Sequence, residues 1–175
     1  MSTSDTSITF AVFPEFIWLR CDARGTFMNS AILKNLADRY IDGGGRLVVV
    51  DLASCAGVDS TFMGTLAGIA RRLMPAGGGL QVAAPSERVR QSLESLGLDV
   101  LMEIDPPLAP WRGQLEQIRS KLKTPGMLVD MGDLDRSRHV LDAHNILSQI
   151  NTRNEEQFRY VRESLEDEIE RKENR

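Results

Sequence analysis

Apolar runs and amphipathic segments alternate along the first hundred residues. Residues 16–22 (Phe-Ile-Trp-Leu-Arg-Cys-Asp) read as a short strand, with Ile8 to Val12 as another before it, broken by Pro14. Leu47-Val48-Val49-Val50 is a continuous, mostly β-branched run, the pattern of a strand buried on both faces. Leu80 to Ala84 and Val100 to Ile104 read as two further strands. Ser30 to Ile41 sets Ile32, Leu33, Leu36, Ala37, Tyr40 and Ile41 at helical spacing, with Asn29 or Ser30 as cap and Gly43 to Gly45 as stop. A second helix is predicted from about Thr61 to Leu73, closed by Pro75. A third runs from Glu87 to Leu96, capped by Pro85-Ser86 and ended by Gly97. Strands alternating with helices predict a layered α/β domain over about residues 8–104, with a mixed, largely parallel sheet and packed helices.

Residues 105–135 change character. Pro106, Pro107, Pro110 and Pro125 fall there with Gly113, Gly126 and Gly132, and one short helix is expected from Leu115 to Leu122. The span reads as a Pro/Gly-rich linker or wrapping segment. Residues 136–175 return to helical spacing. Val140, Ala143, Leu147 and Ile150 share one face, Thr152 and Glu155 form a capping-box pattern, and Phe158, Val161, Leu165 and Ile169 make an apolar stripe. Such a stripe needs a cover, either the α/β domain of the same chain or a second copy. The reach of the Pro-rich span favours the second copy, hence a homodimer through the C-terminal helix.

Composition narrows the function classes. Hydrophobic residues at 42% and charged residues at 26% are those of a folded globular chain, not a disordered one. No apolar run reaches the length of a membrane span. Met1 to Thr9 is Ser/Thr-rich and lacks the basic start and apolar run of an export signal, so a cytoplasmic location is expected. Cys21 and Cys55 then read as free thiols. Net charge is −4, with 9 Lys/Arg against 11 Asp/Glu through residue 104 and 12 against 14 beyond it. Neither part is basic, so nucleic acid is not an expected partner. His139 and His144 lie five apart, about 140° around a helix, and cannot share one metal. They read as surface or packing residues. No Ser/His/Asp arrangement is legible, the Gly triplets lack the Lys-Ser/Thr of a phosphate-binding loop, and no cofactor is expected.

The most informative stretch is Leu47 to Leu73. A buried strand ends in Asp51-Leu52, a loop leads to Val58-Asp59-Ser60-Thr61, and a helix begins there. Gly25 follows the early strand, Gly77-Gly78-Gly79-Leu80 precedes another, Pro85-Ser86-Glu87-Arg88-Val89 opens a helix, and Leu96-Gly97-Leu98 ends it. In order and spacing these motifs resemble the STAS domain, the family shared by anti-sigma-factor antagonists and the cytoplasmic tails of sulfate transporters. The resemblance implies a regulatory protein-binding module in signal transduction and transcription control, not an enzyme. It implies an anti-sigma serine kinase and a cognate phosphatase as partners, and places the phosphorylated serine at Ser60, with Thr61 as the alternative. The docking surface would then be Asp59, Ser60, Thr61, Phe62, Met63 and Gly64. Where the family has Ser-Ser-Gly-Leu, this chain has Ser60-Thr61-Phe62-Met63. Two other readings stand beside this one: a constitutive scaffold or assembly subunit of the same fold, and a domain binding a nucleotide or lipid near the strand ends. On position alone, Asp59 or Ser60 would serve only to cap the helix.

Overall fold

The structure is a computed structural model that describes residues 7–127 and 129–175. The part of the N-terminal reading that rests on residues 1–6 lies outside the described residues. Strands β1 (Ile8–Val12) and β2 (Ile17–Cys21) form an antiparallel hairpin, with Ile8 opposite Cys21 and Val12 opposite Ile17. Strand β3 (Ala23–Gly25) leads to helix α1 (Ser30–Asp42). Strands β4 (Leu47–Asp51) and β5 (Cys55–Val58), helix α2 (Ser60–Leu73), strand β6 (Gly79–Ala83), helix α3 (Glu87–Ser95) and strand β7 (Glu103–Ile104) follow. Next come α4 (Leu115–Ser120), β8 (Thr124–Pro125), α5 (Asp133–Ser148) and α6 (Thr152–Glu173). The main sheet runs β7-β6-β4-β2-β1-β8, and β3 pairs with β5 in a separate two-stranded sheet. β2, β4, β6 and β7 are parallel neighbours, while β1 is antiparallel to β2 and β8. This is the expected mixed, largely parallel α/β fold.

The β-branched run of β4 explains the layering. Val48 and Val50 point into a core with Leu19, Leu80, Val82, Leu33, Phe62, Leu66 and Leu93 from the sheet, α1, α2 and α3. Val49 points the other way, into a cluster with Trp18, Ala83, Trp111 and Ile118. Residues 105–122 therefore wrap the second face of the sheet. The Trp18 and Trp111 rings meet edge to face at 5.4 Å, and Trp111 Nε1 donates to Gln81 Oε1 at 2.7 Å. Asp51, fully buried at the end of β4, ties the wrap down. Its carboxylate accepts from Trp18 Nε1 at 3.1 Å, Arg119 Nε at 2.9 Å, Arg119 Nη2 at 3.2 Å and Ala53 N at 3.0 Å.

Three local expectations are corrected. The strand expected over Val100 to Ile104 is only Glu103–Ile104. Residues 98–100 turn as a 3₁₀ segment that buries Leu98 and leaves Val100 exposed. The cap of α6 is Asn151, whose side chain accepts from Asn154 N, so Thr152 is the first helical residue and makes no capping box with Glu155. The third concerns the apolar stripe. α6 folds back along α5, with Ser137 donating to Glu168 at 2.9 Å and Lys172 pairing with Asp133 at 3.0 Å. Phe158 and Ile169 are buried within the same chain, Leu165 is half-buried and Val161 is 37% exposed. Within the chain it is α5, and not the α/β domain alone, that covers the two ends of the stripe, while Val161 stays outward.

Candidate functional site

Residues 59–64 sit where β5 turns into α2, beside the carboxyl ends of the parallel strands, the edge at which open α/β sheets present functional groups. Asp59 is the N-cap. Its Oδ1 accepts from Phe62 N and its Oδ2 from Phe27 N, both at 2.8 Å, while its own N–H donates to Gly25 O at 2.8 Å. One carboxylate thus satisfies a free N–H of α2 and fastens the loop before α1. Ser60 is left out of the capping, and its side chain keeps partial exposure. Gly25 is required by contact: a Cβ there would lie 2.8 Å from the Phe62 ring.

Of the residues expected to form a docking surface, only Asp59 and Ser60 retain exposure. Thr61 is 4%, Phe62 0% and Met63 7% exposed, and Gly64 is buried. Phe62 and Met63 belong to the core. Gly64 lies against α5, where an added Cβ would fall 2.3 Å from Ala143 O. The departure from the family's Ser-Ser-Gly-Leu is therefore absorbed inward, with Phe62 filling the space that Gly25 leaves open.

The structure also brings together what sequence spacing kept apart. Ser60 Oγ lies 2.9 Å from His144 Nε2, and His144 Nδ1 lies 2.7 Å from Val140 O. A carbonyl only accepts, so Nδ1 carries the proton. In the neutral ring Nε2 then accepts the Ser60 O–H. His144 also meets Phe158 edge to face at 5.3 Å. Five residues earlier on α5, His139 Nε2 lies 2.8 Å from Ser30 Oγ at the start of α1. Both rings are buried. Burial holds the His139 pKa below the ordinary histidine value, aided by Lys34 and opposed by Asp142 and Asp59. Each histidine, read from the sequence as a surface or packing residue, thus pairs with a serine, while His144 Nδ1 meets a backbone carbonyl and not the carboxylate of a Ser/His/Asp arrangement. The separation of 84 residues between Ser60 and His144 is why no local pattern announces the pair.

The other candidate groups are structural. Cys21 and Cys55 are free and buried. The neighbouring Cys55 thiol, with burial, raises the Cys21 thiol far above its usual range, while Cys21 and the Gly57 carbonyl, which accepts from Cys55 Sγ at 3.3 Å, draw Cys55 down to about 7. Among the described residues no cluster of His, Cys, Asp or Glu is fit to hold a metal, and no helix is long and apolar enough to cross a membrane. An open groove runs between α1, α2 and α5, lined in part by Lys34, Asp38, Ile69, Arg72 and Asp142. It lies between helices, not at the strand ends where a small ligand was expected. Lys34 is paired with Asp38, and Arg72 with Asp38 and Asp42.

A family model for the STAS domain matches residues 7–109, and no curated protein matches the chain. The solved structures similar to this chain include the following three. A Thermotoga maritima protein proposed as an anti-sigma factor antagonist superposes with a TM-score of 0.54 at 18% identity, covering 64% of this chain and 94% of its own. An anti-sigma factor antagonist from Mycobacterium paratuberculosis gives 0.53 at 19% identity, with coverages of 68% and 99%. SpoIIAA of Bacillus in its phosphorylated form gives 0.50 at 18% identity, with coverages of 64% and 99%. At these identities the likeness to solved structures is one of fold. The family match ends before α4 and leaves α5 and α6 outside it. Since it takes in more than half of the chain, including the junction that carries Asp59 and Ser60, the chain belongs to the STAS domain family.

Proposed function

We propose that this chain is a cytoplasmic regulatory module of the anti-sigma-factor-antagonist type that binds a protein partner around Asp59 and Ser60 and is switched by phosphorylation of Ser60. The observation that carries this reading is the division of labour at the start of α2. Asp59 alone caps the helix, so the Ser60 hydroxyl is not needed for the cap and keeps partial exposure. In the switching step the Ser60 Oγ–P bond forms as the γ-phosphate leaves ATP, ADP departs and the hydroxyl proton is released. The kinase would be an anti-sigma serine kinase, and a phosphatase would restore the hydroxyl. A phosphate carries about −1.5 to −2 charge, and beside Asp59 it would reverse the character of a docking surface. Thr61 is a poor acceptor by comparison, being buried.

Phosphopeptide mapping after incubation with ATP and the serine kinase encoded nearest this gene is the test. Label on Ser60 that disappears in Ser60→Ala is expected. Label elsewhere that persists in Ser60→Ala defeats the reading. A stable complex with no label at all would make the chain a constitutive scaffold. A nucleotide or lipid reading has less support, because the basic side chains of the open groove are already paired with carboxylates.

A further inference from the structure

We propose that α5 and α6 are a built-in occupant of the surface around Ser60, and that their docking and the modification of Ser60 exclude one another. The proposal rests on the reading of Ser60 as the switch residue, and it adds what occupies that surface while the hydroxyl is free.

Backbone approach comes first. Gly64 and Gly68 stand one turn apart on α2 and form a strip without side chains. A Cβ on Gly64 would meet Ala143 O at 2.3 Å, and one on Gly68 would meet Ile146 Cδ1 at 2.9 Å. The two glycines of α2 therefore admit α5. Next is the matching of histidines to serines. A spacing of five turns two side chains about 140° apart, so His139 reaches α1 at Ser30 while His144 reaches α2 at Ser60. One helix thus reads the starts of two.

The chemistry of this contact differs from that of the core. Five of the ten buried polar or charged residues, Ser137, His139, His144, Ser148 and Asn154, lie in the extension. Ser30 and Thr65 face it from α1 and α2. Beside these polar groups, Leu147 and Phe158 of the extension join the main apolar core. Side-chain hydrogen bonds such as Ser30–His139 and Ser60–His144 are of the kind found at surfaces that separate, because each group can return to water.

The Ser60 bond makes docking conditional. With the His144 ring neutral, Ser60 Oγ donates to Nε2 across 2.9 Å. A phosphoryl group on Oγ takes away the donated proton and sets a phosphorus and three oxygens where the imidazole now stands. Asp59 blocks retreat on the other side, since its carboxylate is already committed to Phe27 N and Phe62 N. The element that yields is α5, which packs on α1 and α2 with Leu147 in the main core and is no part of the sheet's hydrogen-bonded ladder.

Hydrogen exchange on the full chain tests this without a kinase. Ser60→Glu, which places a longer side chain with no donor against Nε2, should speed exchange across residues 133–173 by about tenfold or more and leave β4 and β6 protected. Unchanged protection of 133–173 overturns the proposal. If Ser60→Glu also exposes β4, Ser60→Gln supplies the bulk without the charge and is judged by the same criterion, with the near-ultraviolet signal of Trp18 and Trp111 reporting on the opposite face. Absence of kinase labelling at Ser60 in the wild type would sink the functional reading and leave this exclusion intact. Unchanged exchange in the variants would do the reverse.

Discussion

Two carboxylates set the local order, and each fails in its own way when changed. Asp59 satisfies two backbone N–H groups at a half-exposed helix start. Asp59→Ala should cost about 1–2 kcal/mol, the worth of a cap plus one loop bond, read from urea midpoints at constant slope. Asp51 is more demanding, because it is a buried charge whose ionic partner, Arg119, is partly exposed. Arg119→Met leaves the carboxylate with only Trp18 and Ala53, and should cost about 2–3 kcal/mol, less than for a wholly buried pair. A loss below 0.5 kcal/mol, on the order of an ordinary surface change, would mean that Asp51 is satisfied without Arg119. His139 gives a pH dependence with a definite sign. Burial lowers its folded pKa, whereas the unfolded chain titrates near about 6.5. In that window the unfolded state binds the extra proton, so stability falls as pH drops from neutral through about 6.5 toward the lowered value. Wild type should lose more stability than His139→Gln between pH 7.5 and 5.5, and equal losses would refute the assignment.

At the scale of elements, what could be read in the sequence follows the range of the interaction. The run Leu47 to Val50 and the spacings of α1, α2 and α3 are local patterns, and each element lies where they put it. Strands β3 and β5 escaped notice because Ala23-Arg-Gly25 and Cys55-Ala-Gly-Val58 are short and carry glycine, and they pair with each other apart from the main sheet. The strand expected from Val100 shrank because Leu98, not Val100, found the core. At the site, Asp59 and Ser60 were visible as a cap-type sequence before a helix, though only the hydrogen bonds divide cap from switch. The serine–histidine pairs were invisible, since two histidines five apart on a helix name no partner. Phe62 and Met63 were placed in the docking surface because nothing local says that Gly25 makes room for a ring.

For the whole molecule the question is what the extension does to the number of chains in solution. A stripe such as Phe158, Val161, Leu165 and Ile169 drives association when it is bare, because burying one such side chain is worth roughly 1.5–3 kcal/mol. Here the two ends of the stripe are already spent. Phe158 shares the main core with Leu147, and Ile169 is 9% exposed beside the ion pairs joining α5 to α6. What remains outward is Val161 at 37% and part of Leu165, far below the area of a stable interface. The full chain should therefore sediment at the mass of one protomer at micromolar concentration. Leu165→Glu should loosen α6, seen as faster exchange over residues 152–173, without changing the sedimenting mass. A wild-type dimer that Leu165→Glu splits would mean that a second copy takes the place of α5 on this stripe, and that the serine–histidine contacts form between chains instead of within one.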